Sequence, residues 1–289
     1  IVFSKARPGE NVSSRGEDVK RGQVLLEKGS WLAPQHIALL SAAGVNQVSV
    51  FRRPRVAIIA TGDELVEPGE ALAGGSIFES NRYMLSCMIR QYGGEVVDLG
   101  ICKDDKAVIF DKLKSALRFD MVVVCGGTSV GDTDYVPILI SSMGKPGLIV
   151  HGVAMKPGSP TGVGIIANKP ILLTPGFPVS SFAAFYTFGR HLLFRMLKTT
   201  GPPEPVVFAN ITKSISTHRN MRTLVRVHVT RCSRNGCYCA EPVSAAGARL
   251  ISTLVKSNGV VIVDGKSQLK KGEIVRVVLL GNVDDNRVS

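Results

Sequence analysis

Between Arg55 and Leu197 the chain alternates short, almost unbroken apolar runs with stretches whose apolar residues recur at helical spacing. That alternation leaves few folds open. The runs are Val56 to Ala60, Val96 to Gly100, Met121 to Cys125, Leu148 to Val153 and Ile171 to Thr174, all rich in Val and Ile. A strand that reads apolar at every position is covered on both faces, as happens in a parallel sheet flanked by helices. Leu85, Met88, Ile89 and Tyr92 keep helical spacing and stop at Gly93-Gly94, and Ile109, Leu113, Ala116 and Leu117 repeat the pattern before the third run. The spacing predicts an α/β fold, a doubly wound parallel sheet built from βαβ units.

The flanks read differently. Gly201-Pro202-Pro203-Glu204-Pro205 stops the last helix and reads as a linker. Beyond it, Leu224 to Val229, Val260 to Val263 and Ile274 to Leu279 are short alternating segments separated by Asn235-Gly236, Asn258-Gly259 and Asp264-Gly265, which predicts a small all-β barrel or sandwich. The N-terminal stretch reads as a small α+β segment. It has strands at Gln23 to Glu27 and Val45 to Phe51 and a helix with Pro34 in its first turn and Gly44 as its C-terminal cap. The expected divisions are therefore 1–53, 54–200 and 201–289, and because the chain opens on Ile1, the remainder of an N-terminal domain is expected to be missing.

Thirty-five Lys and Arg against 23 Asp and Glu give a net charge of +12, a field suited to phosphates and other oxyanions. Nucleic acid is not expected as a partner, because aromatic residues make up only 6% and no motif places aromatics among basic residues for base stacking. The most apolar long segment, Phe182 to Leu197, carries Arg190 and His191, so neither a membrane span nor a signal peptide is expected, and the protein reads as soluble and cytoplasmic. Cys87, Cys102 and Cys125 fall singly in apolar segments and read as buried, reduced thiols. Cys232, Cys237 and Cys239 surround a turn; they read as facing hairpin positions or, alternatively, as a Cys232–Cys237 cross-strand disulfide.

Ligands of an open parallel sheet bind beyond the carboxyl ends of its strands. Every polar cluster of the α/β region falls there: Thr61 to Leu65, Lys103 to Asp105, Gly126 to Asp134, Met155 to Pro160 and Thr174 to Ser180. Gly126, Gly127, Thr128, Ser129 and Gly131 offer closely spaced amides and hydroxyls for a phosphate, or else form a tight turn that simply requires glycine. Glu64, Asp104 and Asp134 would gather carboxylates beside that loop, where they could hold Mg²⁺ against a phosphate or, taken singly, cap helices. Lys156 could pair with an anion or stand as an ordinary surface lysine.

At these positions the chain resembles the MoeA family and its eukaryotic relative, the E domain of gephyrin. The resemblance runs through Arg15-Gly16-Glu17-Asp18, Thr61-Gly62-Asp63-Glu64-Leu65, Ser80-Asn81-Arg82, Gly126-Gly127 to Asp134-Tyr135, Lys156-Pro157-Gly158, and Pro175-Gly176 with Pro178-Val179-Ser180. It implies a MoaB/MogA-like molybdopterin-binding domain followed by a C-terminal β-barrel. The implied activity is a Mg²⁺-dependent transferase that takes adenylylated molybdopterin and molybdate or tungstate and releases AMP with the finished cofactor. Carried over by motif, Glu64, Asp104 and Asp134 would be the essential acids and metal ligands, and Lys156 the anion-binding lysine. Pro175 and Pro178 would shape the loop, while Ser180 and Arg222 or Arg226 would help hold the oxyanion. A homodimer, closed by a domain reaching across from the partner, and a molybdopterin adenylyltransferase as a further partner are also implied. A non-catalytic, gephyrin-like scaffold is the alternative. Three departures from the family pattern stand out: Ser159 and Gly152 replace usual lysines, and Phe177 replaces a usual asparagine.

Overall fold

The computed structural model describes residues 5, 7–128, 134–231, 236–243 and 248–285, with the side chain of residue 285 outside the description. It divides into two compact units, Ile1–Phe51 and Arg52–Ser289. In the first, the predicted helix is present as α1 (Pro34–Ala42), with Pro at its first turn and Gly44 at φ +79° just beyond it. The two strands expected at Gln23 to Glu27 and Val45 to Phe51 do not form among the described residues. A strand exists only by pairing, and no described segment of this unit supplies a partner edge.

In the second unit the order is β1 (Arg55–Thr61), β2 (Leu65–Val66), β3 (Ile77–Phe78), α2 (Asn81–Gln91), β4 (Glu95–Cys102), α3 (Lys106–Ala116), β5 (Met121–Cys125) and α4 (Tyr135–Ser142). It continues with β6 (Gly147–His151), β7 (Met155–Lys156), β8 (Gly162–Ile166), β9 (Lys169–Thr174), α5 (Pro178–Ala184), a π-helical turn at Phe185–Gly189 and α6 (Arg190–Met196). The sheet order is β4-β1-β5-β9-β8-β6. All five predicted strands are there, and β1, β4, β5 and β9 pair in parallel. The sheet is mixed, however: β8 pairs antiparallel with both β9 and β6. Because two antiparallel steps restore direction, β6 still ends on the same rim as the parallel strands.

Two loops on that rim end in a residue that starts the next helix. Asp105 caps α3 by accepting from the amides of Ala107 and Val108, both at 2.9 Å. Pro178 opens α5, where its fixed φ suits the first turn. Residues of alternate strand faces bury against separate helix layers, with Val56, Ile58, Leu85, Ile89 and Phe185 in one cluster and Ala57, Ile59, Ile109, Leu113 and Ile140 in the other.

The remaining strands are β10 (Val206–Ile211), β11 (Ile215–Ser216), β12 (Arg222–Arg231), β13 (Tyr238–Pro242), β14 (Gly259–Val263), β15 (Gln268–Leu269), β16 (Ile274–Leu279) and β17 (Asp284–Asp285), with α7 (Ser252–Val255) before β14. The order β13-β10-β16-β14-β12 closes through a β13–β12 pairing, giving a five-stranded barrel around Val227, Val229, Ala240 and Val277. β7 pairs in parallel with β12, Lys156 opposite Thr223. Two cysteine expectations need correction. Cys87 is exposed, since its position on α2 turns it away from the sheet. Cys239 is disulfide-bonded, while Cys232 lies outside the described residues.

Candidate functional site

A cleft of about 560 Å³ opens at the carboxyl rim of the α/β sheet. All five predicted loops reach it: Thr61, Gly62 and Glu64 follow β1, Asp104 follows β4, Gly126, Gly127, Thr128 and Asp134 follow β5, Pro160 precedes β8, and Pro175, Gly176, Phe177 and Pro178 follow β9. Ile77, Phe78, Glu79, Ser80, Asn81 and Arg249 also line it. Ser129 and Gly131 lie outside the described residues.

The acids do not cap helices. Asp134 precedes α4 but makes no side-chain cap bond, and it is Asp105, not Asp104, that caps α3. Burial does most to raise the Asp104 carboxyl above the ordinary carboxylate range; the backbone at Asp63 opposes this, and the charges of Asp63, Glu64 and Asp134 add to it. Asp63, Glu64 and Asp134 thus lie within electrostatic reach of Asp104. Among the described residues, no three His, Cys, Asp or Glu side chains are gathered closely enough to hold a metal unaided. Hard carboxylate oxygens that are few and near one another suit Mg²⁺, which keeps waters and takes its other ligands from phosphate oxygens.

The glycines are required by their neighbours. Gly126 and Gly127 sit at φ +89° and +59°. A Cβ on Gly126 would lie 2.5 Å from the Thr61 carbonyl oxygen, and one on Gly127 would lie 2.7 Å from the Thr61 hydroxyl. The turn packs directly on the end of β1, which brings its backbone to the cleft floor.

Lys156 and Ser180 stand elsewhere. Lys156, exposed on β7, places Nζ 2.8 Å from His218 Nε2, and neither it nor Ser180, buried in α5, lines the cleft. Arg222 is bidentate to Asp264, both contacts at 2.9 Å, and Arg226 is buried on β12 with Nε unbonded.

Sequence reasoning assigned no role to several lining residues. Asn81 donates Nδ2 to the Gly176 carbonyl at 2.7 Å, tying α2 to the proline loop, while its Oδ1 is buried without a partner. Glu79 is buried, and desolvation raises its carboxyl despite Arg82 nearby. Asn81 lay inside a recognised motif; Arg249 lay in no motif at all. Cys125, also lining the cleft, has its thiol pushed up to about 12 by burial and stays protonated.

A second cavity, about 610 Å³, lies among Tyr92, Tyr186, Arg190, Phe194 and the linker prolines. Its charges are matched internally: Arg190 pairs with Glu204, which also accepts from the Tyr186 hydroxyl at 2.9 Å. Nothing there calls for an ionic ligand.

Known proteins resemble this chain in sequence and fold. Residues 57–195 match the family model described as a probable molybdopterin binding domain, residues 2–44 the MoeA N-terminal region (domain I and II) and residues 209–280 the MoeA C-terminal region (domain IV). A molybdopterin biosynthesis protein of Methanocaldococcus jannaschii is 33% identical over 289 residues, covering 96% of this chain and 68% of that protein. The chain belongs to the MoeA family. A molybdopterin molybdenumtransferase of Haemophilus influenzae is 30% identical over 285 residues, covering 96% of the chain and 69% of that protein. The crystal structure of the MoeA protein from Pyrococcus horikoshii superimposes with a TM-score of 0.78 at 32% identity, covering 97% of this chain and 68% of that one. Among the described residues, no helix of this MoeA-family chain is long and apolar enough to cross a membrane.

Proposed function

We propose that the rim cleft holds adenylylated molybdopterin and molybdate, and that the chain inserts the metal oxyanion into the pterin dithiolene with release of AMP. The chain is a transferase of molybdenum cofactor biosynthesis on this reading. The observation that carries it is the set of unneutralised acids, Glu64, Asp104 and Asp134, lining one cleft with the Gly126-Gly127 backbone. A scaffold has no physical need for carboxylates that repel one another at a cleft.

Glu64, Asp104 and Asp134 would supply the one or two carboxylates that Mg²⁺ takes beside phosphate oxygens and water; bound there, the ion would neutralise charge on the phosphoanhydride. The chain's own residues do the rest. The Gly126 and Gly127 backbone approaches the phosphates closely because no side chain intervenes. Asn81 holds the Pro175–Pro178 loop against the start of α2, fixing the cleft wall. Lys156 on β7 and Ser180 in α5, both carried over from the family motif, stand outside the cleft lining and take no direct part in this reading. Division at 54 and 201, a homodimer, a cytoplasmic location and hand-over from an adenylyltransferase belong to the same proposal.

The test is turnover. Purified protein supplied with adenylylated molybdopterin should release AMP when molybdate or tungstate and Mg²⁺ are both present. AMP release that ignores the oxyanion would refute metal insertion.

A further inference from the structure

Four carboxylates line the cleft, Glu64, Glu79, Asp104 and Asp134, and among the described lining residues the one Lys or Arg is Arg249. Glu79 faces Arg82 and Mg²⁺ would draw on the other three, yet a fixed positive group of the chain's own would further favour an anionic ligand there. Neither Lys156 nor Arg222 lines the cleft, and Arg222 is held by Asp264, so neither supplies that charge there.

Arg249 differs from both. Its guanidinium makes no hydrogen bond or ion pair among the described residues; instead Cζ stands 5.4 Å from the centroid of the Phe177 ring. A cation over an aromatic face is held by the ring quadrupole while its N–H donors stay available. Both partners sit on fixed backbone. The Ala248 carbonyl accepts from the Val179 amide at 3.1 Å, and the Arg249 carbonyl accepts from the Ile251 amide at 3.1 Å. Phe177 precedes Pro178, which restricts it to the extended conformation seen (φ −74°, ψ 129°), and its carbonyl accepts from Ser181 at 2.9 Å. The ring is 50% exposed and lines the cleft.

The geometry points to Arg249 as the residue that binds a tetrahedral oxyanion of the substrate at the cleft, with Phe177 as the positioning residue beneath it. The proposal rests on the molybdopterin reading given above. The oxyanion is a phosphate of the nucleotide part or the metal oxyanion itself, and a planar fork of N–H donors suits either. Arg249 comes from the barrel portion of the chain, so the cleft needs that portion for its positive charge. Phe177 suits the task better than an amide would, since an asparagine at that position would compete for the guanidinium donors.

Calorimetric titrations with AMP and, separately, with tungstate, both in the presence of Mg²⁺, test this on the full chain. Arg249→Ala should weaken at least one ligand by about tenfold, and Arg249→Lys by less. Phe177→Ala should weaken the same ligand by about threefold, with Phe177→Tyr restoring it. Lys271→Ala, an equal loss of charge on the exposed barrel surface, should leave both ligands alone. A loss confined to AMP assigns the phosphate and a loss confined to tungstate assigns the metal oxyanion; either supports the proposal. Wild-type affinity for both ligands in Arg249→Ala, or an equal loss in Lys271→Ala, overturns it while leaving the transferase reading intact. If the parent protein binds neither ligand, the transferase reading itself fails, and the proposal with it.

Discussion

The carboxylates around Arg82 and those at the cleft rim are the same residue types on the same sheet, yet their surroundings differ in sign. Arg82 is almost wholly buried, with Nη2 2.6 Å from both Glu67 oxygens, Nη1 bonded to Asp98, and Nε 3.7 Å from Glu79. Burial alone would raise the Asp98 carboxyl, but the Arg82 hydrogen bond and the Gly100 amide hold it below its ordinary value. At the rim, burial raises Asp104 and the neighbouring acids add to it. Charges that are matched within the fold hold α2 to the sheet and to the β2–β3 pair; charges left unmatched are free to meet a ligand. Clustered acids therefore have to be read with their counter-ions before they are called a site.

Removing Arg82 should break the matched group most severely. Arg82→Ala removes a buried guanidinium and leaves the buried Glu79 and the partly exposed Glu67 and Asp98 without their partner; it should cost about 3 kcal/mol of stability, seen as a lower midpoint in denaturant unfolding, and a near-normal midpoint would mean the network is not structural. The unmatched group should respond in the opposite way. Asp134→Asn should cut AMP release by about a hundredfold or more with no loss of melting temperature, and unimpaired turnover would remove Asp134 from the chemistry. A milder test is Asp98→Asn, which should cost about 1 kcal/mol or less at neutral pH because the carboxylate is partly exposed. Since the folded state holds Asp98 below its unfolded value, its contribution is full above the ordinary carboxylate range and is lost as pH falls beneath it. The variant and its parent should therefore converge in acid, and a gap that persists there would contradict the ion pair. Smallest of all, Ser159→Lys adds a cation beside Pro160 and should tighten tungstate by about threefold in a titration; no change would mean that loop does not face the oxyanion.

Much of this architecture was legible from residue pattern because burial on both faces leaves a signature. Met121 to Cys125 can be apolar throughout only if helices cover both sides, and the structure puts them there. β8 left no such mark: Gly162-Val163-Gly164 has two glycines in a short run, and they are glycine because a Cβ would press on Leu173 and on the Gly147 carbonyl. The strands expected at Gln23 to Glu27 and Val45 to Phe51 failed for the converse reason, since alternation describes a strand's faces and says nothing of a partner for its edges. The rim acids were legible because sheet topology alone sends the loops after β1, β4 and β5 to one place. Lys156 was not, because β7 leaves the α/β sheet to pair with β12. Arg249 was invisible for a related reason: it reaches the cleft from a distant stretch of chain, and neither spacing nor composition encodes that approach.

The central claim is that the acid-lined rim, rather than the charge-matched cavity at the linker, receives the substrate. A crystal structure of the protein soaked with AMP, Mg²⁺ and tungstate tests it most directly. Nucleotide and oxyanion should appear between the Gly126-Gly127 backbone and the carboxylates of Glu64, Asp104 and Asp134. Nucleotide seated instead among Tyr92, Tyr186 and Arg190, with the rim left empty, would contradict the account.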